Sequence, residues 1–327
     1  MPPTSPPQVA LTSLMIRNFR GIEHLDFDFR GPDGQPNNLV VLAGPNGSGK
    51  TAVLEAALIA SGGHKLAVGP RGKRAIRRGE SDYLIEASIR AGNEEYKIAD
   101  SSKFPPPDPS KSPLAWYFSS WRAPNLVGAV NLTVGRPGRR PAKTDPNRLL
   151  NVKQQLANAA AAQSFRGGQQ PLFRSYNYPK WINSINESWK SFYPDHNDKF
   201  AVGLVESEEE EGGAFEVYYQ REESPPLSVD ELSAGQLELF LFLAALVLNE
   251  DRRGLVFIDE PELHLDPQWH TPIIRALMSL QPKAQFVVAT HSPEIYDSAM
   301  SYERHFLVPE DDPRARAWPS VGTKAGA

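Results

Sequence analysis

Near the start of the chain, residues 11–17 and 22–29 form two β-like runs, and the second sets Leu25, Phe27 and Phe29 against Asp26 and Asp28. A period of two with one wet face predicts antiparallel strands, broken here at Asn18-Phe19-Arg20-Gly21. After the turn-rich stretch 31–37, residues 38–43 (Asn-Leu-Val-Val-Leu-Ala) predict a short buried strand, and 51–60 a helix ended by Gly62 and Gly63. Residues 82–90 and 94–99 alternate about Ala91-Gly92-Asn93, the mark of a hairpin. Residues 114–119 are again a buried strand. Leu149, Val152, Leu156 and Ala159 then share one helix face, with Asp145 as cap, Pro146 as first residue and Gly167-Gly168 as stop. Pro179 opens a second helix, in which Ile182, Ile185, Trp189 and Phe192 repeat at helical spacing as core. Strands follow at 200–205 and 214–220, then a helix at 237–249. Residues 255–258 and 285–289 are apolar runs suited to a parallel sheet.

Composition narrows the picture. With 40% of 327 residues hydrophobic, the chain can bury a large core, as one elaborated domain or two joined lobes. Absence of cysteine excludes disulfides and thiolate zinc sites and fits a reducing cytosol, so a cytoplasmic location is expected. Residues 1–8 have neither the basic start nor the apolar stretch of a secretory signal, and the longest apolar run, 239–248, is too short to span a bilayer. No membrane partner is expected. A net charge of -4 gives no general attraction to nucleic acid, so DNA contact would fall to local basic segments. One is 64–80, with Arg71, Lys73, Arg74, Arg77 and Arg78; the other is 135–143. Each also reads as a solvated surface loop. The five glutamates in 206–213 read as a solvated hairpin tip rather than a metal site.

The chemistry centres on Gly44-Pro45-Asn46-Gly47-Ser48-Gly49-Lys50-Thr51, which fits the phosphate-loop pattern between a strand and a helix N-terminus. Gly44, Gly47 and Gly49 would let backbone amides approach a phosphate, which the helix dipole favours. Lys50 would reach the β- and γ-phosphates and Thr51 would ligate magnesium. The strand at 255–258 delivers Asp259 and Glu260 at its C-terminal end, where ligands of parallel sheets bind. Asp259 would hold magnesium beside Thr51, and Glu260 would polarise the attacking water. The strand at 285–289 brings His291 to the same edge. Leu232-Ser233-Ala234-Gly235-Gln236 alone is only a good N-cap for the helix that follows.

Taken in order, Asn18 to Gly21, Gly44 to Thr51, Leu232 to Gln236, Phe257-Ile258-Asp259-Glu260-Pro261-Glu262-Leu263-His264-Leu265-Asp266-Pro267 and Ala289-Thr290-His291-Ser292 resemble the ABC-type ATPases of the SMC, RecF and overcoming-lysogenization-defect branch. The resemblance implies an α/β fold: a P-loop NTPase of ABC-ATPase type with a mixed or parallel core sheet, an antiparallel β subdomain and an inserted helical lobe. Residues 1–10, rich in proline, read as a flexible arm; the chain then divides into an N-terminal ATPase lobe at 11–113, the helical lobe at 114–226, a C-terminal half at 227–308 and a tail at 309–327. No coiled-coil arm or appended nuclease domain is expected. The resemblance also implies a head-to-tail homodimer, or a higher oligomer, in which Ser233 and Gly235 of one protomer close over ATP held by the other. Glu260 would be the catalytic base, His291 the switch histidine, and Asp266 would lie in the loop crossing the interface. Arg20 would lie near the nucleotide.

Two departures from the family pattern stand out. Ala234 takes the place of a glycine, and no glutamine follows the strand at 114–119 to join the lobes. The implied function is an ATP-hydrolysing switch, with ATP and Mg2+, acting on DNA or on a separately encoded effector such as a nuclease, in antiphage defence or DNA repair. A non-hydrolysing ATP-dependent scaffold and a transporter nucleotide-binding subunit are the alternatives.

Overall fold

The first two runs pair as antiparallel strands, β1 (Val9–Phe19) and β2 (Ile22–Asp28). Their tight turn places Asn18 and Arg20 at φ 53° and 54°. The structure, a computed structural model, describes residues 7–308 apart from 64, 68, 71, 104–113, 121–124, 132–146, 165–177, 195–196, 206–213, 223 and 250–253. Strand β3 (Leu39–Ala43), buried along its length, runs through the glycine-rich loop into helix α1 (Lys50–Leu58). A π-turn over Ile59–Gly63 ends that helix, with Gly62 at φ 80°. β4 (Leu84–Ala91) and β5 (Glu94–Ser101) form the hairpin around Gly92, and β1 also pairs with β4. These strands make an antiparallel sheet in the order β2-β1-β4-β5.

Next come β6 (Leu114–Phe118), α2 (Arg148–Ser164), α3 (Tyr178–Lys190), β7 (Lys199–Val205), β8 (Ala214–Gln220) and the short β9 (Leu227–Ser228). α4 (Ala234–Val247), β10 (Gly254–Asp259), α5 (His270–Leu280), β11 (Gln285–Thr290), α6 (Pro293–Ser298) and β12 (Arg304–Phe306) complete the described chain. The central sheet runs β12-β3-β11-β10-β6, with every neighbouring pair parallel. Its alternate residues face two cores. Val40, Leu42, Leu255, Phe257 and Val287 pack with α1 and the antiparallel sheet. Leu39, Val41, Val256, Ile258 and Phe286 pack with the helices α2 to α5. This two-sided burial explains why these strands are apolar without alternation. The buried Gln285 side chain locks the antiparallel sheet on top: its amide donates to Leu11 O at 3.0 Å and Asn37 O at 2.8 Å, and its oxygen accepts from Leu11 N at 2.8 Å.

Several sequence boundaries shift. β1 starts at Val9, inside the stretch read as an arm, because Ala10 and Leu11 are fully buried. β6, assigned above to the helical lobe, lies in the central sheet, paired in register with β10 from Gly254↔Leu114 to Ile258↔Phe118. α4 begins at Ala234 rather than 237, since Ser233 caps it. The basic stretch before β4 is tied down in part: Arg20 N donates to Ala75 O at 2.6 Å and Arg77 N to Asn18 O at 2.9 Å. The proposed cap and first residue of α2 (Asp145, Pro146), its glycine stop, the basic loop 135–143, the acidic run 206–213 and the tail 309–327 lie outside the described residues. Among the described residues, no helix is long and apolar enough to cross a membrane.

Candidate nucleotide site

Strands β3, β10 and β11 end at one edge of the parallel sheet, and the residues after each converge there. Between β3 and α1 the backbone takes φ 153° at Gly44, 81° at Gly47 and 91° at Gly49, so the loop needs residues without a Cβ at more than one point. At Gly44 the need is also steric, because a Cβ would sit 2.2 Å from Leu307 O. Lys50 curls back over this loop, donating to Gly44 O at 2.8 Å and Pro45 O at 3.0 Å, with its Nζ 3.4 Å from His291 Nδ1. The side chain is only 5% exposed. Burial holds its pKa below the usual lysine range, against the opposing pull of Glu260, Asp259 and Glu262. The Ser48 hydroxyl is buried with no partner among the described residues.

Asp259, at the end of β10, is 1% exposed. The Thr51 hydroxyl lies 3.1 Å from both of its carboxylate oxygens, and the Ser120 hydroxyl 3.1 Å from one. This cluster of a buried carboxylate and hydroxyls is a set of hard oxygen donors, which suits a magnesium ion. The next residue, Glu260, takes φ 53°, and its amide donates to Ala289 O at 2.7 Å. That left-handed step swings the carboxylate out of the strand line to within 3.3 Å of His291 Nε2. Glu262 then braces the exit of β11, its Oε1 accepting from Thr290 Oγ1 at 2.8 Å, His291 N at 2.6 Å and Ser292 N at 3.1 Å. Lys50, Thr51, Asp259, Glu260 and His291 thus form one constellation.

Ser233 and Gly235 are elsewhere on the chain. Ser233 is exposed and caps α4, accepting from Gln236 N at 3.4 Å while the Gln236 side chain accepts from Ser233 N at 3.3 Å. Gly235 abuts the segment after β10, since a Cβ there would meet His264 O at 2.4 Å. Exposed Asp266 caps the short 3-10 turn Pro267–Trp269. Arg20 gives its guanidinium to Glu55 and to Pro70 O, at 3.1 and 3.2 Å. Glu55 also accepts from Tyr117 OH at 3.2 Å. Here Arg20 clamps the β1–β2 turn to α1.

Sequence reasoning missed Ser120 and Glu262. Ser120 leaves β6 at the point where the family's glutamine was sought, and a lone serine carries no motif. Glu262 lay inside the quoted Asp-Glu-Pro-Glu segment, but its role as a brace depends on where β11 ends.

A family model described as "AAA domain, putative AbiEii toxin, Type IV TA system" matches residues 128–297, and one described as "AAA domain" matches residues 13–103. The chain is similar to the Septu protein PtuA of Bacillus mycoides (strain KBAB4), with 22% identity over 289 residues. That match covers 86% of this chain but 38% of the relative, so the chain spans well under half of that protein. It is also similar to "Retron Vc95 probable ATPase" of Vibrio cholerae serotype O1 biovar El Tor, 42% identical over 86 residues, or 23% of this chain and 17% of that one. Among solved structures, the Smc head domain with an extended coiled coil, bound to the C-terminal domain of ScpA and derived from Pyrococcus furiosus, superposes with a TM-score of 0.56. It covers 89% of this chain and 92% of that one at 13% identity, a likeness of fold.

Proposed function

The chain belongs to the AAA-domain family and is a P-loop ATPase of the ABC type on the SMC and RecF branch; on that premise we propose that it works as a magnesium-dependent, ATP-hydrolysing homodimeric switch. The observation that carries this reading is the convergence of Lys50, Thr51, Asp259, Glu260 and His291 at one sheet edge, with Glu260 3.3 Å and Lys50 3.4 Å from the same histidine ring.

In this reading the amides of residues 44–51 and Lys50 hold the phosphates, Lys50 exchanging the Gly44 and Pro45 carbonyls for phosphate oxygens. Thr51 and Asp259 would hold a magnesium ion, which would supply neutralisation of phosphate charge. Glu260 takes the proton of the attacking water, and His291 hydrogen-bonds the γ-phosphate while limiting the freedom of Glu260. Ser233 and Gly235 of the second protomer close the site, presenting the α4 N-terminus to the same phosphate. Closure is then the signal, delivered to DNA or to a separately encoded effector such as a nuclease. The likeness to a retron ATPase and to Septu PtuA supports a setting in antiphage defence, and the RecF branch one in DNA repair.

The test is complementation between two dead variants. Ser233→Arg keeps the phosphate loop but blocks the signature, whereas Lys50→Ala does the reverse. Each alone should lose turnover, and an equimolar mixture should recover about a quarter of the wild-type rate, since half the dimers carry one intact site. A mixture that stays inactive while both variants are folded and associated would refute the trans arrangement.

A further inference from the structure

Outside the nucleotide site, the chain buries a second charged cluster. Lys153, on α2, is 0% exposed. Its ammonium donates to Gly128 O at 2.6 Å, to Glu216 of β8 at 2.6 Å and to Asp230. An ammonium has three protons, and here three chain segments each supply an acceptor, so its geometry is fully specified. Asp230 is the middle residue of the 3-10 turn Val229–Glu231, which runs through Leu232 into Ser233 and α4. It also accepts from Val127 N at 2.8 Å and lies 3.1 Å from Ser228 Oγ. Burial opposes its ionisation, but the bonds from Lys153 and Val127 outweigh it and hold its pKa low.

The segment between the cluster and the signature is stiff. Ser228 and Glu231 form one capping box, and Ser233 and Gln236 form the next. A second ion pair from the same helix, Arg148 to the 3% exposed Glu238, fixes the first turns of α4. Ser233 itself is exposed and bonds within its own helix. Its position is therefore inherited from the residues that precede it and from α4.

We propose that Lys153, acting through Asp230, is a positioning residue for Ser233, setting the signature end of α4 at the height and angle needed to meet the partner's nucleotide. This rests on the trans reading above. A buried ion cluster is a poor source of stability compared with apolar packing of the same volume. It does fix the direction and register of what it holds, as the signature requires.

Lys153→Met alone leaves the buried Glu216 and the part-buried Asp230 without their cation and invites misfolding. The test therefore uses Lys153→Met/Asp230→Asn/Glu216→Gln, which removes the charges together, alongside the milder Asp230→Asn. For the triple variant, binding of a fluorescent ATP analogue to the dilute monomer should stay within about twofold of wild type, while kcat falls about tenfold or more and ATP-induced dimerisation is lost. Asp230→Asn should lie between, with a loss of about threefold or more in kcat at unchanged monomer binding. A merely structural role would lower nucleotide binding and melting temperature together. Wild-type dimerisation and kcat in a folded triple variant, or in Asp230→Asn if the triple does not fold, would overturn the proposal. Failure of the trans reading looks different: wild-type turnover per chain would not depend on protein concentration, whatever the variants do.

Discussion

Glu260 holds a left-handed backbone (φ 53°) that costs a residue with a Cβ about 1–2 kcal/mol relative to ordinary strand or helix conformations. The hydrogen bond from its amide to Ala289 O at 2.7 Å helps keep it there. Glu260→Gln preserves shape and hydrogen bonding but removes the carboxylate proposed above as the base. It should retain ATP binding, accumulate an ATP-bound dimer and lose about a hundredfold or more in kcat, roughly 2.7 kcal/mol of barrier. Steady-state turnover measures this, and an unchanged rate would remove Glu260 from the chemistry. His305 offers a residue-scale stability test. It is wedged edge-on against Phe27 and Phe29, with ring centroids 5.5 and 5.4 Å away. Burial lowers its pKa from 6.5 to about 4, although Asp28 pulls the other way. A base whose folded pKa is depressed binds protons more readily when unfolded. Its contribution is therefore fully present above pH 6.5 and lost as pH falls toward 4. At most this is on the order of 3 kcal/mol. Urea melts of His305→Leu should lose that part of the wild-type slope between pH 6.5 and 4; parallel pH profiles would count against it.

At the scale of elements, the phosphate loop depends on a strand far from it in sequence. β12 pairs in parallel with β3, and Leu307 N donates to Ala43 O at 2.7 Å just before Gly44. That bond brings the Leu307 carbonyl to the spot a Cβ on residue 44 would occupy, with the Ser48 hydroxyl 2.7 Å from the same point. Gly44→Ala must displace backbone on one side or the other. We expect the fold to survive and nucleotide affinity to drop about tenfold or more, a loss of about 1.4 kcal/mol. Titration with a fluorescent ATP analogue decides it, and wild-type affinity would mean the loop relaxes freely. The same logic applies at α4, where Gly235 packs against the His264 carbonyl and so couples the signature to the segment after β10.

At the scale of the whole molecule, the helical segments and the ATPase sheet share one core. Trp189 of α3 and Phe200 of β7 belong to the same buried cluster as Val256 and Phe286 of the central sheet. Trp116 on β6 lies there too. A lobe that shares its core with the sheet cannot unfold alone without exposing both. Thermal unfolding followed by far-UV circular dichroism and by tryptophan fluorescence should therefore coincide in one transition. Two separated transitions would show that residues 114–226 form an independent unit after all.

The sequence by itself determined the elements, and marked the candidate site residues, that depend on short stretches. The glycines, lysine and threonine of residues 44–51, the Asp-Glu pair after an apolar run, and the strand and helix periods are local patterns, because phosphate binding at a helix N-terminus and burial of one face are local demands. Only the tertiary structure decided what those stretches meet. Strand order and register put β6 beside β10, turning a strand assigned to the helical lobe into part of the ATPase sheet. They also bring Ser120 to Asp259 across 139 positions, and Lys153 to Asp230 across 77. Such partners leave no period or motif in the chain, since a serine or a lysine is an ordinary residue until packing removes water and leaves it a particular acceptor. Arg20 is the converse case: its motif was legible, yet the buried carboxylate of Glu55 decides where its charge goes.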